Sequence, residues 1–313
     1  MTRASVVIPV HDKPTTLPLT VDTVLRQSVG DLEVIVVGDG VTDAVRSVVD
    51  DLVARDERVR FLDFPKGPHH GERYRHDAVR AARSDAIFYL CDDDLLLPDH
   101  VADLLALLQD AGLVQSYNGF LRPDGRVGFY PADLADPGHV RLMLDDRIRH
   151  NAVSITGTAH SRAFYDRVGE RWDTTPAGEW PDHHQWRKLM RHPDFRGATS
   201  HRMTALQLPT SANGRVGWSP EQRLAELERW HAVVTGPDAQ ARIDALVLPA
   251  ALGELARTTR RAVELQIAND GYAEARAELA RTRFRVRRLE ERLRLKNARL
   301  EKLRTRLRSR DQG

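Results

Sequence analysis

The chain has 313 residues, 41% of them hydrophobic, and a formal net charge of +2, enough for a catalytic body of two fused lobes plus an appendage. Its one cysteine, Cys91, excludes an internal disulfide framework and an all-cysteine metal cage, and fits a reducing compartment. No apolar run approaches the ~18 residues of a membrane span, and a strand-like run starts at Ser5 without a signal-peptide pattern, so the cytoplasm is the expected location.

In chain order, strand-like apolar runs fall at Ser5–Val10, Leu32–Val37, Val59–Phe61, Ala86–Cys91 and Leu113–Tyr117. Segments with helical spacing lie between them. Leu17, Val21, Val24 and Leu25 share one face, with Pro18 suited to a first turn; Ala44, Val45, Val48, Val49 and Leu52 share another. Val101, Leu104, Leu105 and Leu108 form a third. Continuous apolar strands alternating with helices predict an α/β fold, its parallel sheet covered on both faces. Ligands of such sheets sit beyond the carboxyl ends of the strands. Further along, Pro123-Asp124-Gly125 predicts a hairpin turn between Phe120–Arg122 and Arg126–Tyr130. Val153–Ala159 reads as a strand, Asp173–Trp180 as a loop, and Pro181 opens a helix through Met190. A strand near Met203–Leu208, a Ser/Asn/Gly-rich loop over Pro209–Trp218 and helices from Pro220 complete the body.

The tail has the cleanest periodicity. Leu265, Tyr272, Leu279, Val286, Leu293, Leu300 and Leu307 recur every seven residues, and Ala268, Ala275, Thr282, Leu289, Lys296 and Leu303 fill the positions three later. This is the seam of a coiled coil, expected to join two copies of the chain, since a lone helix would expose it to water. The segment is also basic: from Asp270 to Gly313 there are 15 Lys/Arg against 7 Asp/Glu, which leaves the preceding residues net acidic. With no nucleic-acid module or interleaved aromatics, nucleic acid is not expected as a partner; the arginines solvate the flanks of the coil, with peripheral contact to an anionic membrane as the alternative.

Three strand ends carry polar or acidic residues: Pro9-Val10-His11-Asp12, Gly38-Asp39-Gly40 and Cys91-Asp92-Asp93-Asp94. Three consecutive carboxylates after a buried strand repel one another unless a cation neutralises them. Mg²⁺ or Mn²⁺ binds such oxygens together with substrate phosphates, which makes the triplet Asp92-Asp93-Asp94 a candidate metal site. The plainer account is a helix N-terminus, where aspartates are favoured by capping and the dipole.

The sequence VVIPVHD, a helix ending in LRQS, then LEVIVVGDGVTD and YLCDDDLLLPDH closely resembles the nucleotide-binding half of family 2 glycosyltransferases, over roughly residues 4–110. The resemblance implies the GT-A fold, a Rossmann-like mixed sheet flanked by helices, and a metal-dependent inverting transfer of a sugar from a UDP or dTDP donor to an acceptor hydroxyl. It implies that Pro9, Val10, His11 and Asp12 line the base pocket and that Asp39 contacts the base. Asp92 and Asp93 would touch ribose and metal, with Asp92 or Asp94 assisting Asp93 in holding Mn²⁺ or Mg²⁺. Arg75, in the stretch Arg73-Tyr74-Arg75-His76-Asp77, would face the diphosphate. Two positions depart from the family pattern: Gly38 and Cys91 stand where first acids are usual.

An inverting transfer needs a general base, and the resemblance places it before a helix of the second lobe. Asp182, in the first turn behind Pro181, fits best, because a helix N-terminus favours the ionised carboxylate; Glu179 is the runner-up. Trp180 and Trp186 form either a sugar platform or core. His201 is a candidate extra metal ligand, and the loop Thr210–Trp218, with Ser211, Asn213, Gly214 and Arg215, a candidate lid. The expected organisation is a nucleotide-sugar-binding half (1–117), an acceptor half (118–235), a helical linker (236–263) and a coiled coil (264–310).

Other readings fit less well. VGDGVTD looks like a late motif of haloacid-dehalogenase-type phosphatases, but the nucleophile motif that chemistry needs upstream is missing. There is no Gly-rich Arg/Lys loop of a nucleotidyltransferase and no GxxxxGK phosphate loop. A catalytically degenerate scaffold carried on the coiled coil, with Gly38 and Cys91 as its symptoms, is the alternative from a different class.

Overall fold

The structure, a computed structural model, describes residues 2–148, 150–208 and 217–310, with side chains described up to 291 and at 294. Two compact units divide the chain, Met1–Ala250 and Ala251–Gly313.

The first 107 residues build β1 (Ala4–Val10), α1 (Leu17–Leu25), β2 (Leu32–Asp39), α2 (Asp43–Arg55), β3 (Val59–Phe64), α3 (Tyr74–Ala81), β4 (Ala86–Tyr89), β5 (Leu95–Leu96) and α4 (His100–Leu107). There follow β6 (Leu113–Leu121), β7 (Val127–Gly128), α5 (Pro137–Leu144), β8 (Thr158–Ser161), α6 (Arg162–Val168), α7 (Pro181–Arg191) and β9 (Gly197–Gln207). Two helices, α8 (Pro220–Val234) and α9 (Ala239–Arg310), end the chain.

The main sheet runs β3-β2-β1-β4-β8-β6-β9-β5, with β7 paired to β6. Its first four strands are parallel, with Val6 opposite Val34 and Phe88, and Val34 opposite Val59. Antiparallel β8 then joins β4 to β6. Every residue of β2 is buried, as an unbroken apolar strand requires when both faces are covered. Alternation divides the strands between two cores: Val6, Ile8, Val34 and Val36 pack with α1, α2 and α4, whereas Val7, Ile35 and Val37 pack with Tyr74, Val79, Trp172 and Trp186. Each such buried Val or Ile contributes roughly 1.5–3 kcal/mol. The hairpin at Asp124-Gly125 forms as its turn residues predict, with Arg122 N–H on the Arg126 carbonyl at 2.9 Å.

The second lobe departs from expectation in detail. Val153 and Ile155 are buried without being in a strand, and β8 begins only at Thr158. The Thr158 hydroxyl bonds the Ser154 carbonyl at 2.6 Å and Ser116 N–H takes the Gly157 carbonyl, so this stretch is turned back on itself. The late strand is longer than its apolar run, because β9 begins at Gly197 beside Leu113. Short helices α3, α5 and α6 lack a long apolar stripe and are not evident from spacing.

The helix α9 is continuous over 72 residues and contains Pro249. The seam positions whose side chains are described are exposed: Leu265, Tyr272, Leu279, Val286 and Leu289. Side chains of Leu293, Lys296, Leu300, Leu303 and Leu307, and the candidate lid residues Ser211, Asn213, Gly214 and Arg215, lie outside the described residues. Among the described residues, no helix is long and apolar enough to cross a membrane.

Candidate active site

The acidic turn after β4 meets the loop after β1. Lys13 Nζ lies 2.9 Å from Asp92 Oδ1 and 2.8 Å from Asp93 Oδ2, so one ammonium bridges two neighbouring carboxylates. The Thr16 hydroxyl donates to the Asp92 carbonyl and that of Thr20 to the Asp94 carbonyl, each at 3.0 Å, which fixes loop and turn together. Burial pushes Asp92 up to about 6, against the pull of Lys13. Burial also works against the Lys13 charge, but the two aspartates outweigh it and raise its pKa.

Asp94 faces elsewhere. Its carboxylate accepts from the Thr156 hydroxyl at 2.5 Å and from Leu208 N–H at 2.9 Å, and the same hydroxyl accepts from Cys91 N–H at 3.0 Å. Burial, reinforced by the Asp93 charge, pushes Asp94 up to about 7. Its oxygens tie the turn after β4 to Thr156, before β8, and to Leu208, after β9, whereas Asp92 and Asp93 share Lys13. A hard divalent ion does fit the Asp92–Asp93 pair: the donor set is all oxygen, and the Lys13 ammonium already stands there as a cation. Among the described residues, no three His, Cys, Asp or Glu side chains are grouped to hold a metal by themselves. His201 does not approach the pair; it is exposed, stacks on Tyr117 and lies 3.5 Å from Asp133.

The end of β2 carries the second acidic group of the candidate site. Asp39 accepts from Gly67 N–H at 2.6 Å and from Lys66 Nζ, and its carbonyl is 2.7 Å from His11 Nδ1. A carboxylate has about four lone-pair sites, so Asp39 retains acceptor capacity for a base N–H. The loop closes on it at Gly71, whose φ is +60° and where a Cβ would lie 2.3 Å from the Asp39 Cγ. Gly38 is a packing requirement: a Cβ there would come within 2.9 Å of the Phe61 ring. Of the remaining base-pocket candidates, Val10 is buried, Pro9 half-buried, and His11 and Asp12 exposed.

Arg75, from the first turn of α3, is buried with its guanidinium 4.7 Å above the Trp172 ring. Among the described residues, its Nε and Nη1 have no hydrogen-bond partner. Burial lowers its pKa, and the carboxylates of Asp182 and Glu72 lie close enough to oppose that shift. Glu72 stays ionised despite burial because it accepts from Thr175 N–H at 2.6 Å and His70 N–H at 3.0 Å, thereby tying the segment before α3 to the one before α7.

Asp182 opens α7 behind Pro181, as expected, and lines a cavity of about 400 Å³ with Gln115, Ser116, Asn118, Phe120, Tyr130, Asn151, Ser154, Trp180 and Gln207. Burial raises its pKa; hydrogen bonds from His183 N–H, at 2.8 Å, and Asn151 and the Arg75 charge act against that rise. Glu179 instead pairs with His184 at 3.1 Å, away from the cavity lining. Trp180 is on the wall, whereas Trp186 is fully buried core.

Lys13, Thr156, Glu72 and Trp172 were not legible as site residues. For Lys13 the available signal was a cation directly after His11-Asp12 at a strand end; the others act across 65 to 103 residues of sequence.

The family model described as "Glycosyl transferase family 2" matches residues 5–167, just over half the chain. The chain is 35% identical over 126 residues to the chondroitin synthase of Pasteurella multocida (strain Pm70), covering 39% of this chain and 13% of that protein. It is 27% identical over 108 residues to the GalNAc(5)-diNAcBac-PP-undecaprenol beta-1,3-glucosyltransferase of Campylobacter jejuni, 34% of each chain. It thus spans about a third or less of the length of these curated relatives. The crystal structure of S. aureus TarS 1-349 superposes with a TM-score of 0.53 at 15% identity, over 80% of this chain and 70% of that one. The complex of TarS 1-349 with UDP-GlcNAc gives 0.52 at 15% identity, over 80% and 71%. The fold is thus the GT-A fold that the motifs implied, with a long helix appended.

Proposed function

Because the chain belongs to glycosyl transferase family 2, we propose that it transfers a sugar, with inversion, from a nucleoside-diphosphate donor to an acceptor hydroxyl. The observation that carries this reading is Asp182 on the wall of the cavity, with Arg75, two of whose nitrogens have no hydrogen-bond partner among the described residues, in its electrostatic range. The acceptor hydroxyl would give its proton to Asp182 as its oxygen attacks the anomeric carbon, and the bond from that carbon to the diphosphate breaks. Arg75 N–H groups would receive the diphosphate, a charge-assisted contact that gives those buried donors partners. The base would lie against Pro9, Val10, His11, Asp12 and Asp39. A Mg²⁺ or Mn²⁺ ion held by Asp93 and Asp92 with the donor's phosphates would neutralise charge on the departing diphosphate.

UDP is the first donor nucleotide to test, since TarS 1-349, which shares the fold, was solved with UDP-GlcNAc; dTDP is the second. In a thermal-shift screen of both with and without Mn²⁺, a ligand at 100 times its Kd should stabilise by about 2.7 kcal/mol. Turnover of the matching sugar donor is the decisive assay. Binding without turnover of any donor would favour the scaffold reading instead.

We also propose that residues 1–235 form the donor and acceptor halves and that 264–310, beyond a linker, pair two copies of the chain. The exposed heptad residues Leu265, Tyr272, Leu279 and Val286 support pairing. A cytoplasmic site of action, with the basic tail attracted to an anionic membrane surface, belongs to the same proposal.

A further inference from the structure

The cation between Asp92 and Asp93 belongs to the chain itself. Lys13 reaches both carboxylates from a loop pinned at its two ends, by His11 on the Asp39 carbonyl and by Thr16 on the Asp92 carbonyl. All three side chains are mostly buried, Lys13 being 29% exposed and the aspartates 11% and 14%, so the ammonium and any second cation at the pair would face each other with little water between them. Like charges at that range oppose each other strongly. We propose that Lys13 is the resident counter-ion of the pair, that it keeps divalent cations off Asp92 and Asp93, and that it yields them only when a nucleoside diphosphate offers its charge another partner. The flexible four-carbon stem of lysine allows such a transfer while the loop stays in place. Metal and donor would then bind in a coupled order that this side chain sets, and the coupling would be reciprocal. The hand-over rests on the donor-site reading above, whereas the exclusion of metal rests on the ion pairs alone.

The test is a Mn²⁺ titration of the full chain, reading free Mn²⁺ by electron paramagnetic resonance, without nucleotide and with saturating UDP. Without UDP, Lys13→Met should bind Mn²⁺ about tenfold more tightly than wild type, while Lys13→Arg, which keeps the charge, should match wild type. With UDP the gap between Lys13→Met and wild type should close. Melting temperature gives an independent reading, because Mn²⁺ should stabilise Lys13→Met more than wild type. Equal or weaker Mn²⁺ binding by Lys13→Met without UDP would overturn the proposal. Calorimetry of UDP alone separates the two layers. If UDP does not bind while the Mn²⁺ difference stands, the donor reading and the hand-over fall and the exclusion is upheld.

Discussion

Along β1, β2 and β4, at both the carboxyl ends and the starts of the strands, buried charges find partners within the chain. Lys13 holds Asp92 and Asp93, Lys66 and Gly67 hold Asp39, and Glu33 accepts from Ser5, Arg60 and Arg83. The second-lobe cavity and its neighbourhood differ. The Ser116 hydroxyl, the Asn118 side-chain oxygen and two nitrogens of Arg75 are buried without a hydrogen-bond partner among the described residues. A buried polar group left unpaired costs about 1–3 kcal/mol, so the first region is built to be stable as it stands and the second to be completed by a ligand. Substitution of a fully partnered group outside the donor site, such as Glu33, should therefore damage stability, and substitution around the cavity should damage function.

The largest effect should come from Asp182→Asn, which ought to lower transfer by ~10²–10⁴ while leaving donor affinity and melting temperature near wild type. Glu179→Gln should be close to wild type in the same assay; the reverse result would move the base to Glu179. The pH profile sharpens the point. A base must be ionised, and burial raises the Asp182 pKa. Activity should thus fall, as pH is lowered, at a pH above the ordinary aspartate range, and that limb should shift or vanish in Asp182→Asn. Next in size, Arg75→Met should weaken UDP binding roughly 10- to 100-fold by calorimetry, the worth of hydrogen bonds to a charged partner. An unchanged UDP affinity would leave the orphaned guanidinium without a ligand and break the comparison at its centre.

On the stable side, Glu33→Gln should cost about 1–3 kcal/mol in urea denaturation, because the amide nitrogen would face either the Arg60 guanidinium or the Ser5 and Arg83 donors in place of an acceptor. Donor KM should not change. Hydrogen bonds lower the Glu33 pKa against burial, so its contribution is present above the unfolded carboxyl pKa and lost as pH falls through the depressed folded value. The smallest effect on turnover should come from ending the chain after Arg261. Light scattering should then report a monomer in place of a dimer, with kcat unchanged; a truncated dimer would move the interface into the first compact unit.

Legibility in the sequence follows the same division. Strands β1 to β4 and helices α1, α2 and α4 of the first half were readable because apolar runs buried on both faces are continuous and are punctuated by polar turns. In the second lobe Val153 and Ile155 reach the core from an irregular stretch, and Trp172 does so from a loop, so periodicity carries no signal there. The acidic triplet shows the limit within the site. Asp92 and Asp93 share a lysine, yet Asp94 turns to Thr156 and Leu208, since neighbours leaving a strand end need not point the same way. Asp182 was proposed from the family resemblance, with its place in the first turn behind Pro181 as local support, whereas the Lys13 pairing spans 79 and 80 residues and its one local sign is a cation after a strand end.

The strand order has a consequence for how the chain acquires its structure during synthesis. The parallel group β3-β2-β1-β4 is complete in sequence by Tyr89, but the free edge of β4 is paired only by β8, with Ala86 opposite Ser161. Some seventy residues must therefore leave the ribosome while an apolar strand edge waits uncovered. The far side of the sheet closes later still, when β9 arrives beside β6, with Leu113 opposite Gly197. Pairings of such long range are slow to form, and open strand edges recruit other chains. The interval between Tyr89 and Gln207 is thus the stretch of translation in which a nascent chain of this protein is most exposed to misassembly.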